Sequence, residues 1–274
     1  MGSTRAKLAG LGAGSTGATT ALRLLQRWPP GGRDRWARTN HRGEPVTLLE
    51  GPAYVLGAAA GLLRTPSLEP RARAAAVTAV LAAGALGAYD DLAGGADARG
   101  LRGHLTALRE GRVTTGNVKI VGLLVTGYAC ARLAGHRGID AVLSAGVVAG
   151  AANLVNLLDL RPGRALKVGV AHAGALALPG DKRAVLAGPI GAAAGLLGPD
   201  LAERTMLGDT GANALGAALG VGVITTFGRV GRLAHLVAIS ALTLASERVS
   251  FTRVIESNAP LAWLDQLGRR PVHD

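Results

Sequence analysis

Cysteine is almost absent from this chain: Cys130 is the only one in 274 residues. No intramolecular disulfide and no zinc site built on cysteines can therefore form. Aromatic residues are nearly as scarce, with three Trp, three Tyr and two Phe making up 3% of the sequence, so the core is not assembled from bulky rings. Charge is thin as well, at 18% of residues, and acids are the rarer sign: 18 Asp plus Glu against 30 Lys plus Arg. Disorder, which goes with low apolar content, is excluded by a hydrophobic fraction of 49%. A nucleic-acid surface is not expected either, because the basic residues are spread over short segments with no interleaved aromatics. What the chain does have is glycine, 41 residues, roughly twice the usual share of about 7%. Small side chains let helix backbones approach closely, which is how helices associate in lipid.

Apolar segments alternate with short charged ones. They fall at about 8–25, 51–63, 74–89, 117–131, 139–158, 168–179, 184–199, 212–227 and 233–246, nine candidate helices in one integral membrane domain over residues 1–274. Several are shorter than the ~20 apolar residues that span a bilayer core, and the mean hydropathy of +0.29 is modest, so a soluble all-helical bundle stays open. The positive-inside rule supplies a test, since cytoplasmic loops collect Lys and Arg. Taking alternate connections together, one side holds 18 basic residues and the other 11. The richer side, read as cytoplasmic, holds the C-terminus and nearly all the acids; only Glu69, Asp140 and Asp181 lie on the other. The expectation is an all-α polytopic bundle in the cell membrane, N-terminus outside, with its chemistry on the cytoplasmic face. No cleavable signal peptide, internal repeat or interdomain linker is evident.

Residues 12–17 match the G-x-G-x-x-G dinucleotide fingerprint as Gly12-Ala13-Gly14-Ser15-Thr16-Gly17. That motif needs a strand before it and a βαβ unit around it, and the β-branched runs of a parallel sheet are missing. Packing of small residues in a helix is the better reading.

Three acidic motifs stand out. Asp90 and Asp91 end the apolar run 74–89, where two carboxylates at a helix C-terminus oppose the macrodipole and repel each other. A positive partner is required, with Arg99 or Arg102 as candidate counter-ions in a solvated loop. Asn153, Asn156 and Asp159 recur every third residue along one side of a helix. Asp209, in Gly208-Asp209-Thr210-Gly211, opens the run 214–227; it is either a helix cap or part of a loop whose glycines let a phosphate or metal approach. Such hard oxygen donors suit Mg²⁺, which takes one or two carboxylates plus substrate phosphate. Lys119 begins another helix on the same face and is placed to pair with phosphate.

In order and spacing these motifs resemble the polyprenyl-phosphate N-acetylhexosamine-1-phosphate transferases, the family that includes the phospho-N-acetylmuramoyl-pentapeptide transferase of peptidoglycan synthesis. Asp90-Asp91 is similar to the family's aspartate pair, Asn153-x-x-Asn156-x-x-Asp159 to its N-x-x-N-x-x-D, and Gly208-Asp209-Thr210-Gly211 with Leu215-Gly216 to its G-D-x-G-[ST] and L-G. The resemblance implies transfer of a sugar 1-phosphate from a nucleotide-sugar, of UDP-N-acetylhexosamine type, to a membrane polyprenyl phosphate in cell-wall biogenesis. It implies Mg²⁺ on Asp209, catalytic roles for Asp90, Asp91 and Asp159, and substrate contacts from Lys119, Asn153, Asn156, Gly208 and Gly211. A homodimer is a further expectation.

The departures are specific. Asp159 is followed by Leu160-Arg161-Pro162-Gly163-Arg164, where the family carries a second acid in place of Pro162. Its last-loop histidine cluster corresponds to Ala259-Pro260-Leu261-Ala262-Trp263-Leu264-Asp265, with no His from there until His273, and the chain stops where the family has at least one more helix. Arg161, Arg164 and Lys167 are then expected to clamp the diphosphate. Two rivals follow: a membrane homologue without catalysis, serving as scaffold or regulator, and a small-molecule transporter. A transporter would carry ionisable groups at mid-helix, where this chain has only Arg23, His172 and His235.

Overall fold

The computed structural model describes residues 2–93, 106, 109–111, 114–176 and 181–271. Arg99, Arg102 and His273, and residues 177–179 of the sixth apolar segment, lie outside them. The described chain is mostly helical. Its elements run α1 (Gly2–Arg27), β1 (Ala37–Thr39), β2 (Pro45–Thr47), α2 (Glu50–Leu63), α3 (Pro70–Ala93), α4 (Thr115–Leu133), α5 (Gly138–Leu158), α6 (Arg164–Leu176), a 3₁₀ turn (Asp181–Leu186), α7 (Ala187–Leu201), α8 (Gly208–Thr226), α9 (Arg229–Ser246), α10 (Phe251–Glu256) and α11 (Ala259–Gln266). The described parts of the nine apolar segments are mainly helical, with residues 184–186 in the 3₁₀ turn and residue 227 beyond the end of α8. Among the described residues, three stretches are long and apolar enough to cross a membrane: Pro70–Ala93, Gly138–Leu158 and Ala184–Leu201.

Helix α8 is the axis of the bundle. From Thr210 to Ile224 every residue is buried, as expected of a helix that is apolar and small on all sides. It lies against α3, α5 and α2. A Cβ on Gly216 would meet the Ala152 Cα at 2.6 Å, and one on Gly220 the Val148 Cα at 2.7 Å, so backbone contact with α5 depends on these missing side chains. Helix α9 is peripheral: Arg232 is its only buried residue, and Val230, Val237 and Leu244 are more than half exposed.

The fingerprint at 12–17 sits inside the unbroken helix α1. A Cβ on Gly17 would stand 3.3 Å from the Gly57 Cα of α2, and one on Gly14 3.0 Å from the Ala192 nitrogen of α7. Those glycines serve helix packing.

Two features have no counterpart in the apolar pattern. Strands β1 and β2 form an antiparallel hairpin, pairing Arg38 with Val46. Its turn is closed by Asn40, whose Oδ1 accepts from the Arg42 and Glu44 nitrogens at 2.9 Å each. The hairpin docks on the α7–α8 connection, where the Met206 N–H donates to the Thr47 carbonyl at 2.9 Å. The second feature is the short pair α10 and α11, which folds back onto the start of α6 through a buried ion pair between Arg164 and Asp265.

Candidate active site

The C-terminal end of α3, the N-terminal ends of α4 and α8 and the C-terminal ends of α5 and α7 meet at one end of the bundle. Alternating helix direction brings them there, and each end carries an acid or a lysine. Asp90 and Asp91, adjacent in sequence, point to different partners. Asp90 takes the Lys119 ammonium of α4 at 2.5 Å. Lys119 also pairs with Asp209 of α8, so one ammonium lies between two carboxylates.

Asp91 is held by the first turn of α8. It accepts from the Asp209 N–H at 3.1 Å, the Thr210 N–H at 2.9 Å and the Thr210 hydroxyl at 2.6 Å. The free N–H groups of a helix N-terminus carry partial positive charge. They are the partner that a carboxylate at the end of α3 required. Arg38 of the hairpin donates to the Asp91 carbonyl from the other side. Asp91, expected to be catalytic, thus has its carboxylate engaged by the start of α8.

Gly208 makes this contact possible. Its φ is +61°, a left-handed conformation that a side chain disfavours. An added Cβ would meet the Asp91 carboxylate at 3.2 Å and Leu48 at 2.8 Å. Gly87, one turn before the aspartate pair, clears the other side: a Cβ there would stand 2.6 Å from the Thr210 Cα. Gly211 instead faces α2, where its Cβ would meet the Gly51 Cα at 3.0 Å.

Asp159 is the C-cap of α5. Burial, reinforced by the nearby carboxylates of Asp200, Asp209 and Asp91, pushes it well above the usual carboxylate range, against a hydrogen bond from the Gly208 N–H. A carboxyl so placed holds its proton to higher pH than an ordinary carboxylate does. Asn153 and Asn156 lie part-exposed, about two turns and one turn further back on α5.

Beside Asp159 opens a cavity of about 170 Å³ lined by His41, Arg161, Asp200, Glu203 and Thr205 among others. Three connections build it: the hairpin, the α5–α6 turn and the α7–α8 turn. Glu203 is nearly buried and takes a left-handed φ of +55°. Its carboxylate accepts from the Asn40 amide at 2.9 Å and pairs with the Arg42 Nε at 2.9 Å. Beneath, Glu50 is fully buried and accepts from the Thr205 hydroxyl. Glu50, Asp200 and Glu203 were not singled out in the sequence. The signal available was that they are acids in a chain with few, two of them just ahead of Gly208.

Of the three expected clamp cations, only Arg161 lines this cavity. Arg164 is 2% exposed and grips Asp265 with two hydrogen bonds of 2.8 and 2.9 Å. Lys167 donates to the carbonyls of Leu264 and Asp265. Two of the three expected clamp cations thus contact the C-terminal segment. Burial alone would raise Asp265, but Arg164, backed by Arg269, holds it below the usual range.

Among the described residues, no group of three or more His, Cys, Asp or Glu is arranged to hold a metal. Asp90 and Asp209, already sharing one cation, are the available pair, and two carboxylates match the share of ligands a protein gives Mg²⁺ when phosphates and waters supply the rest. Another cavity, of about 290 Å³, lies at the opposite end, lined by Glu69, His136 and Thr225 among others. No family model matches the chain, and no curated protein matches it.

Proposed function

We propose that this chain is a membrane-embedded phosphotransferase that moves a sugar 1-phosphate from a nucleotide-sugar to a polyprenyl phosphate. Helices α1 to α9 then cross the bilayer in alternation, with the N-terminus outside and the site on the cytoplasmic face. The observation that carries the reading is the meeting of Asp90, Asp209 and Lys119 around one point, with Asp159 beside a cavity. The end of the bundle that holds them is also the end richer in Lys and Arg, as expected of a cytoplasmic face.

An oxygen of the lipid phosphate attacks the sugar-bearing phosphorus of the donor. The bond from that phosphorus to the bridging oxygen breaks, and the nucleoside monophosphate leaves with that oxygen. Lys119 is placed to neutralise charge gathering on the transferred phosphoryl group. Asp159 accepts a proton from the lipid phosphate when it arrives protonated. Mg²⁺, held by Asp90 and Asp209, would supply charge neutralisation of the diphosphate. Arg161 and His41 line the wall where the nucleotide would lie.

One observation favours a second reading. Lys119 already satisfies both carboxylates, and Arg164 is spent on Asp265, so the constellation is neutralised from within, as a scaffold derived from an enzyme would be. Release of UMP separates the two. Purified protein with undecaprenyl phosphate, UDP-N-acetylglucosamine and Mg²⁺ should release UMP in proportion to lipid. No release from a panel of UDP-sugars by folded protein would leave the scaffold reading.

A further inference from the structure

The end of helix α1 and the residues just after it carry four arginines with no carboxylate partner among the described residues. Arg23, Arg27, Arg33 and Arg35 are exposed, and among the described residues none is in an ion pair. Six arginines elsewhere, Arg42, Arg164, Arg229, Arg232, Arg269 and Arg270, each meet a carboxylate. The one acid within the cluster is Asp34.

Between the arginines stands Trp28, 62% exposed, with the Arg27 guanidinium 4.9 Å from its ring centre. Leu24 beside it is 49% exposed. Further along α1, residues 8–22 hold no charge, a stretch of about 22 Å at 1.5 Å per residue. Thr16 and Thr19 on this stretch turn their hydroxyls back to the Gly12 and Ser15 carbonyls at 2.7 and 2.9 Å. Such back-bonding satisfies a hydroxyl without water. The surface therefore passes from an uncharged stretch of α1 to a mixed basic and aromatic patch at the end of that helix and in the residues that follow it, which is the profile of a membrane interface.

We propose that residues 23–35 form a binding site for the headgroups of anionic phospholipids, with Trp28 at headgroup depth and the four arginines around the phosphates. The charge of the patch selects the lipid, and the exposed Trp28 and Leu24 face the acyl boundary. A nucleic acid would use the charge but leave the uncharged stretch of α1 without a role. The proposal rests on the membrane reading above.

The test titrates the full chain in detergent micelles with brominated phosphatidylglycerol or brominated phosphatidylcholine and follows tryptophan quenching. The Trp28→Phe variant identifies the Trp28 component. That component should be quenched by phosphatidylglycerol at about tenfold lower lipid fraction than by phosphatidylcholine. The difference should vanish at 1 M salt and in the variant with all four arginines changed to Gln, whose side chains lie outside the core. Equal quenching by both lipids overturns the headgroup site while leaving the membrane reading intact. Quenching by neither lipid overturns both. Loss of oligonucleotide binding in the Gln variant, with lipid preference unchanged, would assign the patch to nucleic acid and overturn the proposal.

Discussion

Replacing Asp91 by Ala removes the acceptor that holds the start of α8. Two N–H donors, those of Asp209 and Thr210, and the Thr210 hydroxyl all end on this carboxylate, and Thr210 is 2% exposed. The hydroxyl can turn to another acceptor, but the two amides are fixed by the helix. At about 1–3 kcal/mol for each orphaned buried donor, the loss is roughly 2–6 kcal/mol. Asp91→Asn keeps an oxygen acceptor and loses only the charge, so about half of that is expected. Thr210→Val removes one bond to the same carboxylate and costs about 1 kcal/mol. Thermal unfolding in detergent reads the series. With about 2–4 °C per kcal/mol for a chain of this size, the Ala variant should lose at least roughly 4 °C and the Asn variant less. The double variant should lose clearly less than the sum, because the two residues share one bond. An Asp91→Ala protein as stable as the parent, or strict additivity with Thr210→Val, would refute the capping role.

Three further outcomes follow from the same geometry. Asp265→Ala leaves Arg164 buried without its counter-charge, so a loss of about 3–5 kcal/mol or early proteolytic release of residues 250–271 is expected in unfolding and limited-proteolysis assays. His136 accepts from Arg232 at 2.8 Å and lies 2.7 Å from the Ser144 hydroxyl; burial, aided by Arg232 and opposed by Asp140, lowers its pKa from 6.5. The unfolded chain then binds the proton more readily, so stability present above about pH 6.5 is lost as pH falls below it, and His136→Gln should flatten that slope. Asp159 has the opposite sign: its raised pKa means that resting stability falls as pH rises from about 4 through its folded value, so Asp159→Asn should stabilise the substrate-free protein at neutral pH while lowering transfer.

The helical segments were legible because their apolar runs are local. So were the aspartate motifs, which stand out in a chain poor in acids. The division of labour between Asp90 and Asp91 was not legible, since it depends on which face of α3 meets α8, more than a hundred residues later. Arg164 read as a phosphate clamp because its partner lies 101 residues away, on a short helix with no strong pattern of its own. The hairpin escaped notice for a related reason. Its strands are three residues each, and its order comes from Asn40 and from docking on Thr205 and Met206. Glu203 could have been noticed as an acid, but its left-handed backbone and its grip on Asn40 and Arg42 are purely tertiary.

The central claim is that Asp90, Asp209 and Lys119 form a phosphoryl-transfer site and not a structural knot. Mass spectrometry of the lipid fraction tests it most directly, comparing the parent chain with Asp209→Asn after incubation with undecaprenyl phosphate, a panel of UDP-sugars and Mg²⁺. The account predicts a polyprenyl-diphospho-sugar from the parent and none from the Asn variant, with both proteins equally folded. A folded parent that yields no lipid-linked product across the panel, or an Asp209→Asn protein that yields as much as the parent, would contradict it.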